Sequence, residues 1–235
     1  MIRIITFDLD DTLWAVTPVM RTANLALYAW LEQHAPAFCT RYQPRDFNTL
    51  RDEVVLDHPE WSHSVTAIRL EVLRRGLSRS GYSPDDSEQV AQAAFAHFIE
   101  ARNRVELFPH SRPVLEQLAS RYQLGALSNG NADITMVGLA DLFSFSFNAD
   151  QVGSAKPEPL MFQRMLEHTG ARPEQVLHVG DSIEHDVRGA QAAGLHTLWV
   201  NLSGAPAPSD PQPSLTVRCL SEIPTQVAVF ARKQG

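Results

Sequence analysis

Three carboxylates stand close together near the start of the chain, in the stretch FDLDDTLW from Phe7 to Trp14. Asp8, Asp10 and Asp11 follow directly on the apolar run IRIITF, which concentrates like charges at the end of a strand that should be buried. In isolation, this pattern is as typical of structural turn and N-cap residues as it is of a functional site. Carboxylates in such a position can also bind a hard divalent cation, act as nucleophiles or transfer protons.

Three further short stretches contain groups that could take part in the same chemistry. They supply a hydroxyl in a turn, a lysine and a second pair of carboxylates, which are Ser128-Asn129-Gly130, Lys156 in SAKPEP, and Asp181 with Asp186 in GDSIEHD. Each stretch alone has an ordinary structural interpretation, as a turn, a solvated loop residue or an N-cap. Four such stretches in separate loops are hard to obtain by chance, and together they favour a functional site.

The elements around these stretches alternate between strand and helix. The predicted strands are 2–7, 123–128, 144–148, 175–180 and 195–201, and the predicted helices are 111–121, one that follows Asn131, 157–170 and 184–194. Alternation of this kind implies an α/β fold with a Rossmann-like parallel sheet and right-handed crossovers. Because ligands bind outside the carboxyl ends of parallel strands, the four stretches should converge at one rim of the sheet.

A different pattern occupies the segment between the first strand and the alternating region. Residues 16–104 contain several runs of helical period and no convincing strand. We therefore predict an α/β catalytic core made of residues 1–15 and 105–235, with an all-helical domain of residues 16–104 inserted into it.

The composition of the chain argues against several classes of protein. The chain has 235 residues and a formal net charge of −7 at pH 7, which argues against a general nucleic-acid binder because such a protein needs a basic face. No window approaches the ~18 apolar residues of a membrane span, and no secretory signal follows Met1. Cys39 and Cys219 indicate reduced thiols rather than a disulfide framework, although one bridge between them stays open. These features predict a cytoplasmic protein without a membrane or nucleic-acid partner, and they predict nothing about oligomeric state.

The four stretches together resemble the motif set of the haloacid dehalogenase (HAD) superfamily of phosphohydrolases. The matching residues, in motif order, are Asp8, Asp10 and Thr12 for DxDx[TV], Ser128 for a Ser or Thr that ends a strand, Lys156 for a lysine, and Gly180, Asp181 and Asp186 for GDxxxxD. The helical segment is inserted where the family has its C1-type cap. The resemblance therefore covers the whole chain and implies the HAD fold with an inserted helical C1 cap.

The resemblance implies a phosphomonoesterase that depends on Mg²⁺ and acts on a small phosphorylated metabolite. Asp8 would be the nucleophile and form an aspartyl phosphate, and Asp10 would protonate the leaving alkoxide and then activate water. Asp8, Asp181 and the backbone carbonyl of Asp10 would bind the metal. Haloacid dehalogenases lack an Asp at the position of Asp10, which favours phosphoester hydrolysis over halide displacement.

The remaining motif residues would bind phosphate or orient other groups. Ser128, the backbone amide of Asn129 and Lys156 would hold the phosphate oxygens, and the start of the helix that follows Asn131 would add amide donors. Thr12 would orient the nucleophile loop, and Asp186 would orient Lys156 or a metal-bound water. Asp11 stands where Gly is more usual in the family, and we assign it no catalytic role.

The substrate is the least determined part of this prediction. The details FDLDDTLW, LSNGNAD and LHVGDSIEHD are most similar to the bacterial flavin mononucleotide phosphatase branch, whose members also act on the phosphorylated ribityl-aminouracil precursor of riboflavin. Related branches hydrolyse pyrimidine nucleotides, phosphoglycolate or sugar phosphates with similar motifs, and phosphosugar mutases share both aspartates. A non-catalytic module that retains the fold is a further hypothesis, which the intact motif set disfavours.

Several residues outside the motifs could contact a substrate. In the helical insertion these are Arg21, Arg51, Trp61, His63 and Arg69, although a helical Arg is ordinarily solvated and a Trp is ordinarily part of the core. Trp14 and Met20 are better placed for such a contact because they follow the nucleophile loop. His178 is predicted to be a packed strand residue rather than a ligand.

Overall fold

The computed structural model describes residues 1–233 of the chain. It divides into two compact units. One unit combines Met1–Val16 with the chain from Glu106 onward, and the other is Thr17–Val105. The first unit contains the sheet and the four motif stretches, and the second is helical.

Six parallel strands form one sheet in the first unit, which confirms the predicted α/β fold class. The strands are β1 (Ile4–Phe7), β2 (Gln123–Ser128), β3 (Phe145–Asn148), β4 (Val176–Gly180), β5 (His196–Val200) and β6 (Leu215–Val217). Their order across the sheet is β3-β2-β1-β4-β5-β6. The chain therefore builds outward from β1 in one direction and then in the other, and this reversal creates the crevice in which such sheets bind ligands.

The register of the central strands aligns their carboxyl ends. Phe7, the last residue of β1, pairs with Ala126 of β2 on one side and with Val179 of β4 on the other. All four residues of β1 are buried, as expected of a strand covered on both faces. The loops that leave β1, β2 and β4 consequently begin at one level of the sheet.

The prediction of a helix after Asn131 is wrong. The Asp133 carboxylate accepts hydrogen bonds from the backbone N–H groups of Thr135 and Met136, which starts a single turn. Gly138 then adopts a φ of 81°, a left-handed conformation that ends the turn instead of extending it. The segment forms turns over residues 134–138. There is consequently no helix start here to supply the amide donors that we expected for the phosphate.

The helices of this unit are α6 (Ser111–Ala119), α7 (Ala149–Val152), α8 (Leu160–Thr169), α9 (Gly189–Ala192) and α10 (Ile223–Lys233), numbered after the five helices of the other unit given below. The helices α6, α8 and α9 correspond to predicted ones with different boundaries, and α7 and α10 are additional to the predicted helices. The segment predicted as one helix over residues 184–194 is a π-helical stretch, Ile183–Arg188, that continues into α9. This wider turn directly follows the GD pair of the fourth motif.

The second unit contains only helices among its described residues. They are α1 (Val16–His34), α2 (Pro36–Arg41), α3 (Phe47–Asp57), α4 (Val65–Arg79) and α5 (Pro84–Arg102). Ser64 caps α4 and Ser83 caps α5, each by accepting a backbone N–H of the first turn. Its larger core cluster includes Leu27, Phe38 and Phe98.

Two observations bear on the environment of the chain. Cys39 and Cys219 are both free thiols. Within residues 1–233, the structure has no helix with both the length and the apolar character needed to cross a membrane.

Candidate active site

The four motif stretches meet at the carboxyl ends of β1, β2 and β4, around a cavity of about 310 Å³. The lining residues come from all four stretches and are Asp8, Asp10, Asp11, Ser128, Asn129, Gly130, Lys156, Asp181, Ser182, His185 and Asp186. The structure therefore brings every predicted catalytic, phosphate-binding and metal-binding residue to one place. Ser182 and His185 also line the cavity, although the sequence did not single them out.

Lys156 lies at the centre of this arrangement and is 2% exposed. Its ammonium donates to Asp8 Oδ1 at 2.8 Å, to Asp186 Oδ1 at 2.7 Å and to the carbonyl oxygen of Leu127 at 2.6 Å. An ammonium has three N–H donors, so all three are used. The side chain is thereby fixed between two carboxylates.

The charges around Lys156 do not balance, and the pKa values of the carboxylates reflect this. Burial raises the pKa of Asp8 well above its usual range, against the opposing effect of Lys156. The pKa of Asp186 is held below its usual range because Lys156 and His178 outweigh the effect of burial. Burial, followed by repulsion from Asp186, raises the pKa of Asp181 to about 6. Lys156 thus keeps Asp186 ionised, whereas burial outweighs its effect on Asp8 and disfavours the charged forms of Asp8 and Asp181.

The surplus of negative charge matches a divalent cation. Oxygen atoms of Asp8, Asp181 and Asp186 lie within 4.8 Å of one another, and hard cations such as Mg²⁺ prefer such oxygen donors. Three carboxylates and one ammonium leave two negative charges when all are ionised, which is the charge that one Mg²⁺ would neutralise. The residues present therefore fit the metal.

The contacts of Asp186 distinguish it from the other two carboxylates. Its Oδ1 accepts from Lys156 and from His178, and its Oδ2 accepts from the backbone N–H of Ser182 at 2.9 Å. Both oxygens are already engaged by protein donors. Asp8 and Asp181 are consequently the better metal ligands, and Asp186 is better suited to orienting Lys156.

Thr12 connects the two proposed metal ligands. It is fully buried, and its hydroxyl donates to Asp181 Oδ1 at 3.1 Å while lying 3.5 Å from Asp8 Oδ2. The hydroxyl lies where it can orient both carboxylates toward a common point, and the orienting role of Thr12 stays a prediction.

The second motif contacts the backbone of Lys156. The side chain of Asn129 donates to the backbone carbonyl of Lys156 at 2.8 Å and accepts from its backbone N–H at 2.7 Å. Ser128 is 2% exposed, and its hydroxyl oxygen accepts from the N–H of Gly130 at 3.1 Å. The Asn129 side chain thus clamps the lysine loop, a role that the sequence did not predict.

His178 also has a role that the sequence did not predict. It is fully buried, with Nδ1 2.9 Å from the hydroxyl of Thr6 and Nε2 3.1 Å from Asp186 Oδ1. Burial lowers the pKa of this imidazole, which keeps it neutral. A neutral ring facing a carboxylate must hold its proton on Nε2, so Nδ1 accepts from Thr6. The available signal was strand alternation, which directs His178 and Gly180 to the same face of β4.

Other candidate residues have contacts inside the helical unit. The guanidinium of Arg69 lies 3.8 Å from the centre of the Phe98 ring and donates to Asn24. Trp61 stacks on His58 with ring centres 3.8 Å apart. These contacts are those of packed side chains, and the predicted substrate role of these residues stays a prediction.

Comparison with known proteins gives consistent results. A family model described as haloacid dehalogenase-like hydrolase matches residues 2–194. The 5-amino-6-(5-phospho-D-ribitylamino)uracil phosphatase YigB of Escherichia coli (strain K12) is 32% identical over 199 residues, which are 85% of this chain and 83% of that protein. The phosphoserine phosphatase of Thermus thermophilus is 29% identical over 250 residues, and the match covers 94% of this chain and 97% of that protein.

A similar solved structure is that of a protein named 2-haloacid dehalogenase, from Pseudomonas syringae pv. Tomato DC3000. It superimposes with a TM-score of 0.93 at 36% sequence identity, and the match covers 98% of this chain and all of that one. The predicted α/β fold class is thus confirmed.

Proposed function

This chain belongs to the haloacid dehalogenase-like hydrolase family, and we propose that it is a Mg²⁺-dependent phosphatase that hydrolyses a small phosphorylated metabolite through an aspartyl phosphate on Asp8. The observation that supports this most directly is the ammonium of Lys156, fixed between Asp8 and Asp186 at the edge of a cavity that Ser128 also lines. The site thus combines a nucleophile, a cation and hydroxyl and amide donors, which is what phosphoryl transfer requires.

In the first half-reaction a carboxylate oxygen of Asp8 attacks phosphorus. Ser128 and the backbone amide of Asn129 hold the phosphate oxygens as charge develops on them, and Lys156 does so with the donor that it gives to Asp8 in the substrate-free structure. Asp186 and Thr12 act indirectly, because they fix Lys156 and Asp8 in place. A bound Mg²⁺, held by Asp8, Asp181 and the backbone carbonyl of Asp10, would offset the repulsion between the nucleophile and the anionic substrate.

Asp10 is the proposed general acid and base. As the ester bond breaks, it gives a proton to the leaving alkoxide oxygen, and in the second half-reaction it takes a proton from the water that attacks the aspartyl phosphate. Asp10 lines the same cavity as Asp8. Because it follows Asp8 by only two residues in the loop, both carboxylates can face one substrate.

The proposed substrate is flavin mononucleotide or 5-amino-6-(5-phospho-D-ribitylamino)uracil. Support comes from the Escherichia coli relative, whose name specifies the second compound. The phosphoserine phosphatase of Thermus thermophilus makes phosphoserine a further candidate. We also propose that the helical unit is a C1-type cap, and that the enzyme works in the cytoplasm, where its two free thiols would stay reduced.

The proposal is tested by phosphate release from a panel of phosphorylated metabolites, with Mg²⁺ and with a chelator. The panel contains flavin mononucleotide, the ribitylamino-uracil phosphate, phosphoserine, phosphoglycolate, a pyrimidine nucleotide and a sugar phosphate. Asp8→Asn should lower kcat on the order of 10³-fold or more. Asp85→Asn is a matched control, because it makes the same change at an exposed side chain in the first turn of α5, and it should leave activity unchanged. Absence of metal-dependent phosphate release from every ester would overturn the proposal.

Two other reactions are separated by their products. A dehalogenase, the activity for which the Pseudomonas syringae protein is named, would release halide from 2-chloropropionate. Halide leaves without being protonated, so that reaction has no use for the acid that Asp10 supplies. A phosphosugar mutase would convert a sugar phosphate into its isomer without releasing phosphate.

A further inference from the structure

Trp14 makes a direct contact with the proposed proton donor. Its indole Nε1 donates to Asp10 Oδ1 at 2.8 Å, and the side chain is fully buried in the α/β unit. An indole nitrogen can only donate a hydrogen bond. Asp10 Oδ1 accepts the indole hydrogen, so it cannot at the same time hold a proton that points toward the indole.

The backbone around Trp14 fixes this contact. Trp14 forms a bridge with Asp10 on one side and with Leu107 on the other. Its carbonyl oxygen accepts from the N–H of Asp11 at 2.7 Å, and the carbonyl of the preceding Leu13 accepts from the hydroxyl of Ser111 at 2.8 Å. The indole is therefore held relative to Asp10 by both of its flanking segments.

We propose that Trp14 is a positioning residue that keeps the transferable proton of Asp10 on Oδ2, an inference that rests on the proposed function. In the first half-reaction the Asp8 oxygen bonds to phosphorus, the ester bond breaks with its electron pair on the alkoxide oxygen, and that oxygen receives the proton from Asp10 Oδ2. In the second, water bonds to phosphorus and gives a proton to Oδ2, and the bond between phosphorus and Asp8 breaks to restore the carboxylate. The indole donates to Oδ1 throughout, so that one oxygen serves both transfers.

The dependence of rate on the leaving group tests this role. 4-Nitrophenyl phosphate releases a phenolate that needs little protonation, whereas flavin mononucleotide and phosphoserine release alkoxides that need a general acid. Trp14→Phe keeps an aromatic ring but removes the N–H donor. Of flavin mononucleotide and phosphoserine, the one that the wild type hydrolyses faster serves as the alkyl ester. We expect Trp14→Phe to lower the ratio of kcat/KM for this ester to kcat/KM for 4-nitrophenyl phosphate by about tenfold or more.

Two further variants separate positioning from packing. Trp199→Phe removes another buried indole donor, the one that binds the carbonyl of Asp181 at 2.8 Å, and it should affect both esters by the same factor. Benzothienylalanine at position 14 keeps the shape of the indole with sulfur in place of N–H, so it tests the donor even if Trp14→Phe folds poorly. In Asp10→Asn protein, Trp14→Phe should cause no further change in the ratio of the two rates.

The outcomes separate this inference from the proposed function. Equal loss with both esters for the position-14 variants, or a changed ratio in the Asp10→Asn background, would overturn the role of Trp14 while leaving the phosphatase in place. If wild-type protein hydrolyses neither ester with Mg²⁺, the proposed function itself fails.

Discussion

His178 links the interior of the sheet to Lys156 through Asp186. We predict that His178→Leu lowers kcat/KM by about 10- to 100-fold, because Asp186 loses a donor and becomes free to move away from Lys156. The loss should be the same for aryl and alkyl phosphates, since proton transfer at Asp10 is not affected. Steady-state kinetics on both esters, with a thermal melt to confirm folding, measures this.

His178→Gln is the matched variant for this prediction. The amide nitrogen of Gln can take the place of Nε2 and donate to Asp186, so activity should recover to within a few-fold of wild type. Thr6→Val removes only the far hydrogen bond, at Nδ1, and should have a smaller effect than His178→Leu. Wild-type kinetics for His178→Leu would show that Asp186 needs no help to hold Lys156.

Asp11 adopts a φ of 58°, a left-handed conformation that Gly and, less readily, Asp and Asn tolerate. Its carboxylate compensates by accepting the backbone N–H of Val16 at 2.8 Å. We predict that Asp11→Gly changes the free energy of unfolding by less than about 1 kcal/mol and leaves activity intact, because relief of backbone strain offsets the lost hydrogen bond. Asp11→Val should destabilise by about 1–3 kcal/mol.

Urea denaturation of the two Asp11 variants measures both values. Asp11 lines the cavity, so activity is the informative second readout. If Asp11→Gly folds normally but is inactive, Asp11 has a chemical role, and our assignment of none is wrong.

At the level of residues, the sequence was informative where function depends on residue type at a strand end. Asp8, Ser128 and Asp181 could be picked out in this way, Lys156 could be picked out only together with them, and the structure brings all four together. His178 could not, because its partner Thr6 lies 172 positions away and becomes a neighbour only through the pairing of β1 with β4. The hydrogen bond from the Trp14 indole to Asp10 could not be predicted either.

Gly180, at the end of β4, allows the π-helical stretch to fold back against the strand. A Cβ at this position would lie 2.2 Å from Cγ of Asp186, much closer than atoms can approach. We predict that Gly180→Ala displaces Asp186 from Lys156 and lowers kcat/KM by about tenfold or more. Kinetics with 4-nitrophenyl phosphate measures this effect.

Gly153→Ala is the control for that prediction. Gly153 has a φ of 76°, and no atom lies within 4 Å of the point where a Cβ would stand, so Ala there is strained but does not collide. It should lower stability by about 1 kcal/mol and leave kcat/KM unchanged. If both substitutions lower stability equally and neither lowers kcat/KM, the close packing of Gly180 against Asp186 is not needed for activity.

Helices were less predictable than strands in the α/β unit for a physical reason. Helical period is shared by a single capped turn and by a full helix, and the two differ in local hydrogen bonds. After Asn131 the carboxylate of Asp133 starts a turn and Gly138 ends it. The π-helical stretch after Asp181 likewise depends on contacts of Asp186 that no periodicity reveals.

For the molecule as a whole, alternation of strands and helices was enough to predict a parallel sheet. The long helical stretch led us to predict an insertion, and the structure has a helical unit over Thr17–Val105. The order of the strands could not be predicted in the same way, because each new strand can pair on either side of those already present. The observed order places β1 between β2 and β4. That order determines which loops meet, and therefore which charges must be balanced.

The charge balance at this meeting point predicts how stability depends on pH and on Mg²⁺. Asp181 has its pKa raised from 3.8 to about 6 by burial and by repulsion from Asp186. Between these values the folded protein holds a proton that the unfolded chain has released, so the free energy of unfolding falls as pH rises through this window. The loss amounts to at most about 3 kcal/mol for a shift of this size.

A cation at Asp8 and Asp181 would replace the lost protons as the balancing charge. We therefore predict that Mg²⁺ raises Tm more at about pH 8 than at about pH 5, where protons compete for the same carboxylates. Thermal melts with Mg²⁺ and with a chelator measure this difference. Asp181→Asn removes both the titration and a ligand, so it should lose most of the Mg²⁺ effect and the Asp181 part of the pH dependence. Contributions from Asp8 and His178 remain in both proteins. An equal rise in Tm at both pH values would show that the cation binds away from these carboxylates.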